Sequence, residues 1–300
     1  MSTGRLERKK LQKLNNVKIA VLYNLVEKPT DNIPLPENWG DIVGRFVHSY
    51  INFEAGFSHD LYVCSSGAPL SLSSQELLQG LNYRSIVYTG AGWDIGAYQY
   101  CARFLRSYDL VVCLNSQAYI AQDNWLKYFA EAYSNYGPGV YGASSSFEVS
   151  PHIRTSSFAF SPGLIIDYPL TIRCRYDACV FEHSPKSFSL WALSKNMPVY
   201  VVIRSGAHKL LQSRREDNIF RRGTQEDLLV RDRHSIIYDG AEEGARIQLE
   251  KLADGEVASN FVFLSKIDHF IVRYAVLQRA RVIFSTLKSR LLHAYSRFVV

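Results

Sequence analysis

Two hydrophobic patterns take turns along the first 145 residues. Short apolar runs recur at Val17 to Tyr23, Asp60 to Cys64, Ser85 to Tyr88, Asp109 to Leu114 and Val140 to Ala143. Each has the length and continuity of a strand covered on both faces. Between them, Asp41 to Glu54, Ser73 to Leu81, Ala97 to Leu105 and Asp123 to Tyr133 carry apolar residues at helical spacing, with Ser73 or Ser74 as the expected cap of the second. Such alternation predicts an α/β fold: a mostly parallel, Rossmann-like sheet with helices on both faces. Ligands bind such sheets at the carboxyl ends of the strands. Here those ends are Tyr23-Asn24, Tyr88 to Gly92 and Asn115-Ser116-Gln117.

The second half is less regular. His152 to Ser161 alternates like an antiparallel strand, Phe181 to Lys195 reads as a helix after Pro185, and Val199 to Ile203 as a strand. Residues 204 to 225 look like loop, and Gln225 to Val230 and Glu242 to Leu252 look helical. No linker divides two clear domains. The expected organisation is a basic lead-in over 1–16, one domain over 17–256 and an extension over 257–300. In that extension Lys266, Arg273, Arg279, Arg281, Lys288, Arg290 and Arg297 interleave with large aliphatics. The pattern predicts a basic amphipathic helix, suited to an anionic membrane surface or to packing on a protein.

Composition narrows the function classes. At 47% hydrophobic and 21% charged, the chain is ordinary for a soluble globular protein. A net charge of +6 favours anionic partners such as nucleotides and phosphates. No nucleic-acid-binding motif is visible, so nucleic acid is not an expected partner. The five cysteines form no CxxC pair and suit buried thiols in a reducing compartment. The start lacks the apolar core of a signal peptide, and no window is long and apolar enough to span a membrane. The expected location is cytoplasmic, peripheral on the inner face of the cell membrane.

The stretch YTGAGWDIGAY, Tyr88 to Tyr98, poses the main chemical question. Alone it looks like a dinucleotide-binding glycine loop. That loop should follow the first strand of its unit, with a ribose-binding acid about 20 residues on. Here the glycines follow the third predicted strand, and the next strand ends in Asn115. A short-chain dehydrogenase also needs Tyr and Lys four apart, and none of the 19 tyrosines has that partner. An NAD(P)-dependent oxidoreductase is thus a remote alternative.

Taken together with the end of the next strand, the stretch looks different. Trp93-Asp94-Ile95-Gly96-Ala97 and then Leu114-Asn115-Ser116-Gln117 resemble the nucleotide-sugar half of GT-A glycosyltransferases. The likeness is to bacterial family 2-like enzymes and rhamnan-synthesis F-like proteins, over about residues 17 to 240. It implies a nucleotide-sugar donor, a glycan or lipid-linked acceptor and a role in cell-surface polysaccharide synthesis. By that resemblance Glu182 holds the base position, with His183 beside it. Tyr23, Asn24, Gly92, Asp94, Gly96, Asn115 and Gln117 shape the nucleotide-sugar pocket. The family places Mg²⁺ or Mn²⁺ on an Asp-x-Asp. This chain has Asn115 and Gln117 there, and hard cations want charged oxygens. Without a metal, cations must meet the diphosphate. The candidates are Arg154, His208, Arg214, Arg215, Arg221 and Arg222. The missing carboxylates also admit a catalytically degenerate scaffold of an assembly complex.

Overall fold

The structure, a computed structural model, describes residues 14, 16–27, 39–212 and 220–256. Nearly all of the predicted lead-in, Arg214, Arg215 and the basic amphipathic extension with its membrane-surface role lie outside these residues.

Eight strands form the central sheet. They are β1 (Ile19–Val26), β2 (Asp60–Ser66), β3 (Tyr83–Tyr88), β4 (Leu110–Leu114), β6 (Val140–Gly142), β9 (Ser157–Phe160), β10 (Val199–Ile203) and β11 (Gly206–Lys209), in the order β11-β10-β6-β9-β4-β1-β2-β3. Parallel pairing joins β3, β2, β1 and β4, and also β10 and β6. β9 runs antiparallel between β4 and β6, and β11 antiparallel on the edge. Two short antiparallel pairs stand outside the sheet: β5 (Tyr119–Ile120) with β12 (Val230–Arg231), and β7 (Ser145–Ser146) with β8 (His152–Ile153).

The continuous apolar strands are explained by cover on both faces. In β1, Ile19, Val21, Tyr23 and Leu25 pack with Val43 and Phe46 of the helix Trp39–Asn52 and with Trp125 and Phe129 of the helix Trp125–Tyr136. Ala20 and Leu22 point the other way, into a second core with Ile95, Tyr98, Phe181 and Phe188. The period of two that sorts these side chains is the pleat of the strand. Among the described residues no helix is long and apolar enough to cross a membrane.

Several expected elements change. The short helix Leu72–Leu77 is capped by Ser71, whose hydroxyl accepts the Ser74 N–H, and not by Ser73 or Ser74. The helix expected after Pro185 is Phe188–Ser194, and a helix not read from the sequence, Arg175–His183, precedes it. Pro185 forces the residue before it out of helical space, and Ser184 is extended at ψ 166°. Residues 204 to 225 contain a strand, β11. Gln225 to Val230 is not helical: the helix there is Arg233–Asp239, set off by a capping box at Asp232.

Candidate active site

The chain leaves β1 toward β2 and β3, then returns to place β4 on β1's other side. This reversal of strand order opens a crevice at the carboxyl ends, where such folds hold ligands. Three segments converge there. The helix Trp93–Cys101 follows β3. Asn115 to Gln117 follow β4. Because β9 is antiparallel, its start lies at the same end: Leu114 pairs with Ser157, and the Asn115 N–H donates to the Ser156 carbonyl at 3.0 Å. The helix Arg175–His183 and the turn at Asp232 to His234 complete a cleft of about 360 Å³.

Three carboxyls line this cleft: Asp232, paired with Arg154, and Asp94 and Glu182, which no arginine among the described residues holds. Asp94 sits in the first turn of its helix, where a negative charge meets the positive end of the dipole. Burial nevertheless raises its pKa, and the charge of Glu182 adds to that. Its own and Ile95's backbone N–H groups and the Asn115 amide only partly offset them, leaving Asp94 at about 6. Glu182 goes the other way. Burial alone would raise it, but His183, His152 and the Thr155 N–H outweigh burial and hold it below its ordinary value. Its Oε1 accepts the Thr155 N–H at 2.9 Å, and its Oε2 lies 3.3 Å from His183 Nε2. Beneath them His152 is buried and is pushed down to about 4, chiefly by burial. The neutral His152 ring donates from Nδ1 to the Ser150 carbonyl at 2.7 Å and meets the His183 ring edge-on at 4.7 Å.

Positive groups occupy another wall. Arg154 donates to Asp232 at 2.7 Å and to the Ser144 hydroxyl at 3.2 Å. Its guanidinium lies 3.5 Å from the Phe220 ring centroid. Arg221 is also near that ring, at 5.0 Å, and donates to His234 Nδ1 at 3.3 Å. Burial, then the charge of Arg154, lowers the His234 pKa. With Nδ1 accepting, the neutral ring keeps its proton on Nε2. His234 lines the cleft, and Arg221 backs it through that ring.

Of the residues singled out from sequence, Asp94, Asn115, Gln117, Arg154 and Glu182 come together in the cleft. Tyr23 and Asn24 do not line it, because β1 continues three residues past Tyr23. Tyr23 is buried against Phe46, with ring centroids 3.6 Å apart, and Asn24 accepts from the Ser66 hydroxyl at 2.6 Å. Gly92 and Gly96 also serve the interior. A Cβ at Gly90, Gly92 or Gly96 would collide with the Tyr88 hydroxyl, which accepts the Gly92 N–H at 3.1 Å. The glycine-rich turn is therefore moulded round its own tyrosine. His208 lies on edge strand β11 opposite Val201, and Arg222 pairs with Asp254; neither lines the cleft. Trp93, Arg175, Asp232 and His234 line it without having been singled out. Trp93's adjacency to Asp94 was the one available signal.

Asn115 is committed within the protein. Its Oδ1 accepts the Gln117 N–H at 3.1 Å, and its amide bonds Asp94. Among the described residues no three His, Cys, Asp or Glu gather as a metal site. The donor set at this strand end does not fit Mg²⁺ or Mn²⁺.

No protein-family model matches the sequence, and no curated protein matches it. Among solved structures, HddC from Yersinia pseudotuberculosis is similar with a TM-score of 0.39 and 13% identity, over 54% of this chain and 83% of that one. HddC complexed with GMP-PN gives 0.39 and 14%, over 61% and 90%. A "putative nucleotide-diphospho-sugar transferase" from Desulfovibrio desulfuricans G20 gives 0.38 and 14%, over 62% and 80%. At these scores the likeness carries no weight for the chemistry, which rests on the residues of the cleft.

Proposed function

We propose that this chain is a GT-A-like glycosyltransferase that moves a sugar from a nucleotide-sugar donor to an acceptor hydroxyl. One observation carries the reading: Asp94 and Glu182 share a crevice at the strand switch point, and their surroundings push their proton affinities apart. Such a divergence is how one site acquires an acid–base group and a permanently charged one. Sequence resemblance gives the base role to Glu182. The direction of the shifts favours Asp94, because a base works best with a pKa near the working pH.

In this reading the acceptor oxygen attacks the anomeric carbon, and the carbon–oxygen bond to the diphosphate breaks. The acceptor proton passes to Asp94. Glu182, held ionised by Thr155 and His183, faces the positive charge that develops on the sugar. Arg154 and His234, with Arg221 behind that ring, form the side that meets the leaving diphosphate. Transfer of a nucleotidyl group to a sugar phosphate is less well supported, because that nucleophile is already ionised and needs no base. A growing polysaccharide or lipid-linked glycan as acceptor, an inverting outcome, a bacterial setting and anchoring through residues 261–300 belong to the same proposal.

Thermal-shift titrations with UDP, GDP and dTDP test it. At least one should raise Tm, and nucleotide-sugar hydrolysis should accompany it with the matching donors. No shift with any of the three would sink the reading. A shift without turnover on any donor would favour the inactive scaffold.

A further inference from the structure

Trp93 stands out in the cleft for its backbone. Its φ is +57°, a conformation that suits glycine and is a genuine outlier for a bulky side chain. Such outliers gather where function requires them. Trp125 is fully buried, whereas Trp93 is partly exposed on the cleft wall. The exposed side chain of Arg175 lies over that indole at 4.9 Å. A large aromatic face, presented at a cost in strain and crossed by a long cationic side chain, is suited to a flat partner with polar edges.

We propose that Trp93 is the stacking platform of the acceptor subsite, and that the acceptor is a carbohydrate ring. The inference rests on the glycosyltransferase reading. Trp93 and Asp94 line the same cleft, so a pyranose laid on the indole has its rim hydroxyls within the crevice that holds the carboxyl taking the proton. A sugar's C–H face supplies the apolar contact, and Arg175 supplies donors to its hydroxyls. A simple alcohol or a serine side chain has no broad apolar face to lay against the indole.

The test uses the full chain with saturating nucleoside diphosphate, chosen as the one that raises Tm. Saccharide binding is titrated by isothermal calorimetry with methyl glycosides of glucose, galactose, mannose and N-acetylglucosamine, and with cellobiose. At least one saccharide should bind. Trp93→Ala should weaken that saccharide about tenfold, the scale of one lost aromatic stack, and Trp93→Phe should recover most of it. Trp93→Gly, which suits a φ of +57°, provides a second variant that should fold even if Trp93→Ala does not. Equal saccharide affinity in Trp93→Gly and wild type overturns the proposal, as does the absence of saccharide binding to wild type. Weakened nucleoside diphosphate binding instead would make Trp93 a nucleobase platform and overturn the acceptor assignment. Failure of every nucleotide to bind wild type would bring down the transferase reading itself, which separates the two failures.

Discussion

The charge of Glu182 is felt at Asp94: the two carboxyls line one cleft, and the first helps hold the second near a pKa of 6. Glu182 itself lies below its ordinary value, because two histidines and the Thr155 N–H outweigh its burial. In the proposed reaction the pair divides its labour across neutral pH: Asp94 exchanges a proton, and Glu182 stays charged.

Asp94→Asn should reduce transfer by about 10²–10⁴-fold, the usual worth of a positioned base. In the wild type, kcat/KM should fall as pH drops below about 6, where Asp94 becomes protonated. Stability should respond in the opposite sense. A carboxyl whose pKa rises on folding binds its proton more tightly in the native state, so stability is lost as pH rises through about 6. Asp94→Asn should then melt higher than wild type at pH 7–8 and show no such gain at pH 3. A pH profile without this acid limb would refute the role.

Glu182→Gln tests the coupling directly. Removing the neighbouring charge should move the acid limb of the Asp94 titration to lower pH. The limb is read from kcat/KM or from the carboxyl resonance in labelled protein. An unmoved limb would show that the two groups do not interact.

The Arg154–Asp232 pair should dominate the stability of the cleft wall. Both side chains are largely buried, at 11% and 6% exposure. Asp232 also caps the helix Arg233–Asp239, accepting the His234 and Ser235 N–H groups. Asp232→Ala strands a buried guanidinium and uncaps the helix, at a cost of about 3–5 kcal/mol in urea denaturation. Burial would raise the Asp232 pKa, but Arg154, the Ser156 hydroxyl and His234 overrule it and bring it to about 2. That stabilisation is present above pH 4 and lost as pH falls toward 2, and is on the order of 2 kcal/mol. The variant should lack this acid sensitivity.

Gly96 and Tyr88 should be energetically linked. Gly96→Ala sets a methyl against the Tyr88 hydroxyl and should cost about 1–3 kcal/mol through overpacking. Tyr88→Phe removes that oxygen and should relieve part of the penalty in the double variant. Gly90→Ala should gain less relief, because its methyl also meets the ring, 2.5 Å from Cζ. Additive Tm changes in the Gly96 cycle would contradict the packing.

Transfer should persist in EDTA, since Asn115 spends its oxygen on the Gln117 N–H and its amide on Asp94. Loss of activity in EDTA with recovery on adding Mn²⁺ would show that other groups supply a metal site.

The strand runs of the first half were legible because burial on both faces leaves an uninterrupted apolar signature, as in Leu110–Leu114. Asp94, Asn115 and Gln117 were legible as site candidates because they follow such strands; Glu182 entered through the family resemblance and Arg154 as a cation that could meet a diphosphate. Tyr23 was misplaced by an end effect: the polar Asn24 looked like the end of the strand, yet it is buried and bonded to Ser66 within the sheet. The helix after Pro185 was legible from its proline and its apolar spacing, whereas Arg175–His183 was not, because Arg175, Asp177, Glu182 and His183 interrupt its apolar positions.

Local pattern thus dictated the alternation of strands and helices, the polar ends of the strands and the glycines of the turn after β3. It could do so because pleat, helical period and backbone freedom act over a few neighbouring residues. What those glycines accommodate depended on where the Tyr88 ring came to lie. The opposed proton affinities of Asp94 and Glu182 depended on burial and on groups far apart in sequence. Coulomb and desolvation energies are set by distance in space, and only the folded sheet brings residues 94, 115, 155, 182 and 234 to one crevice.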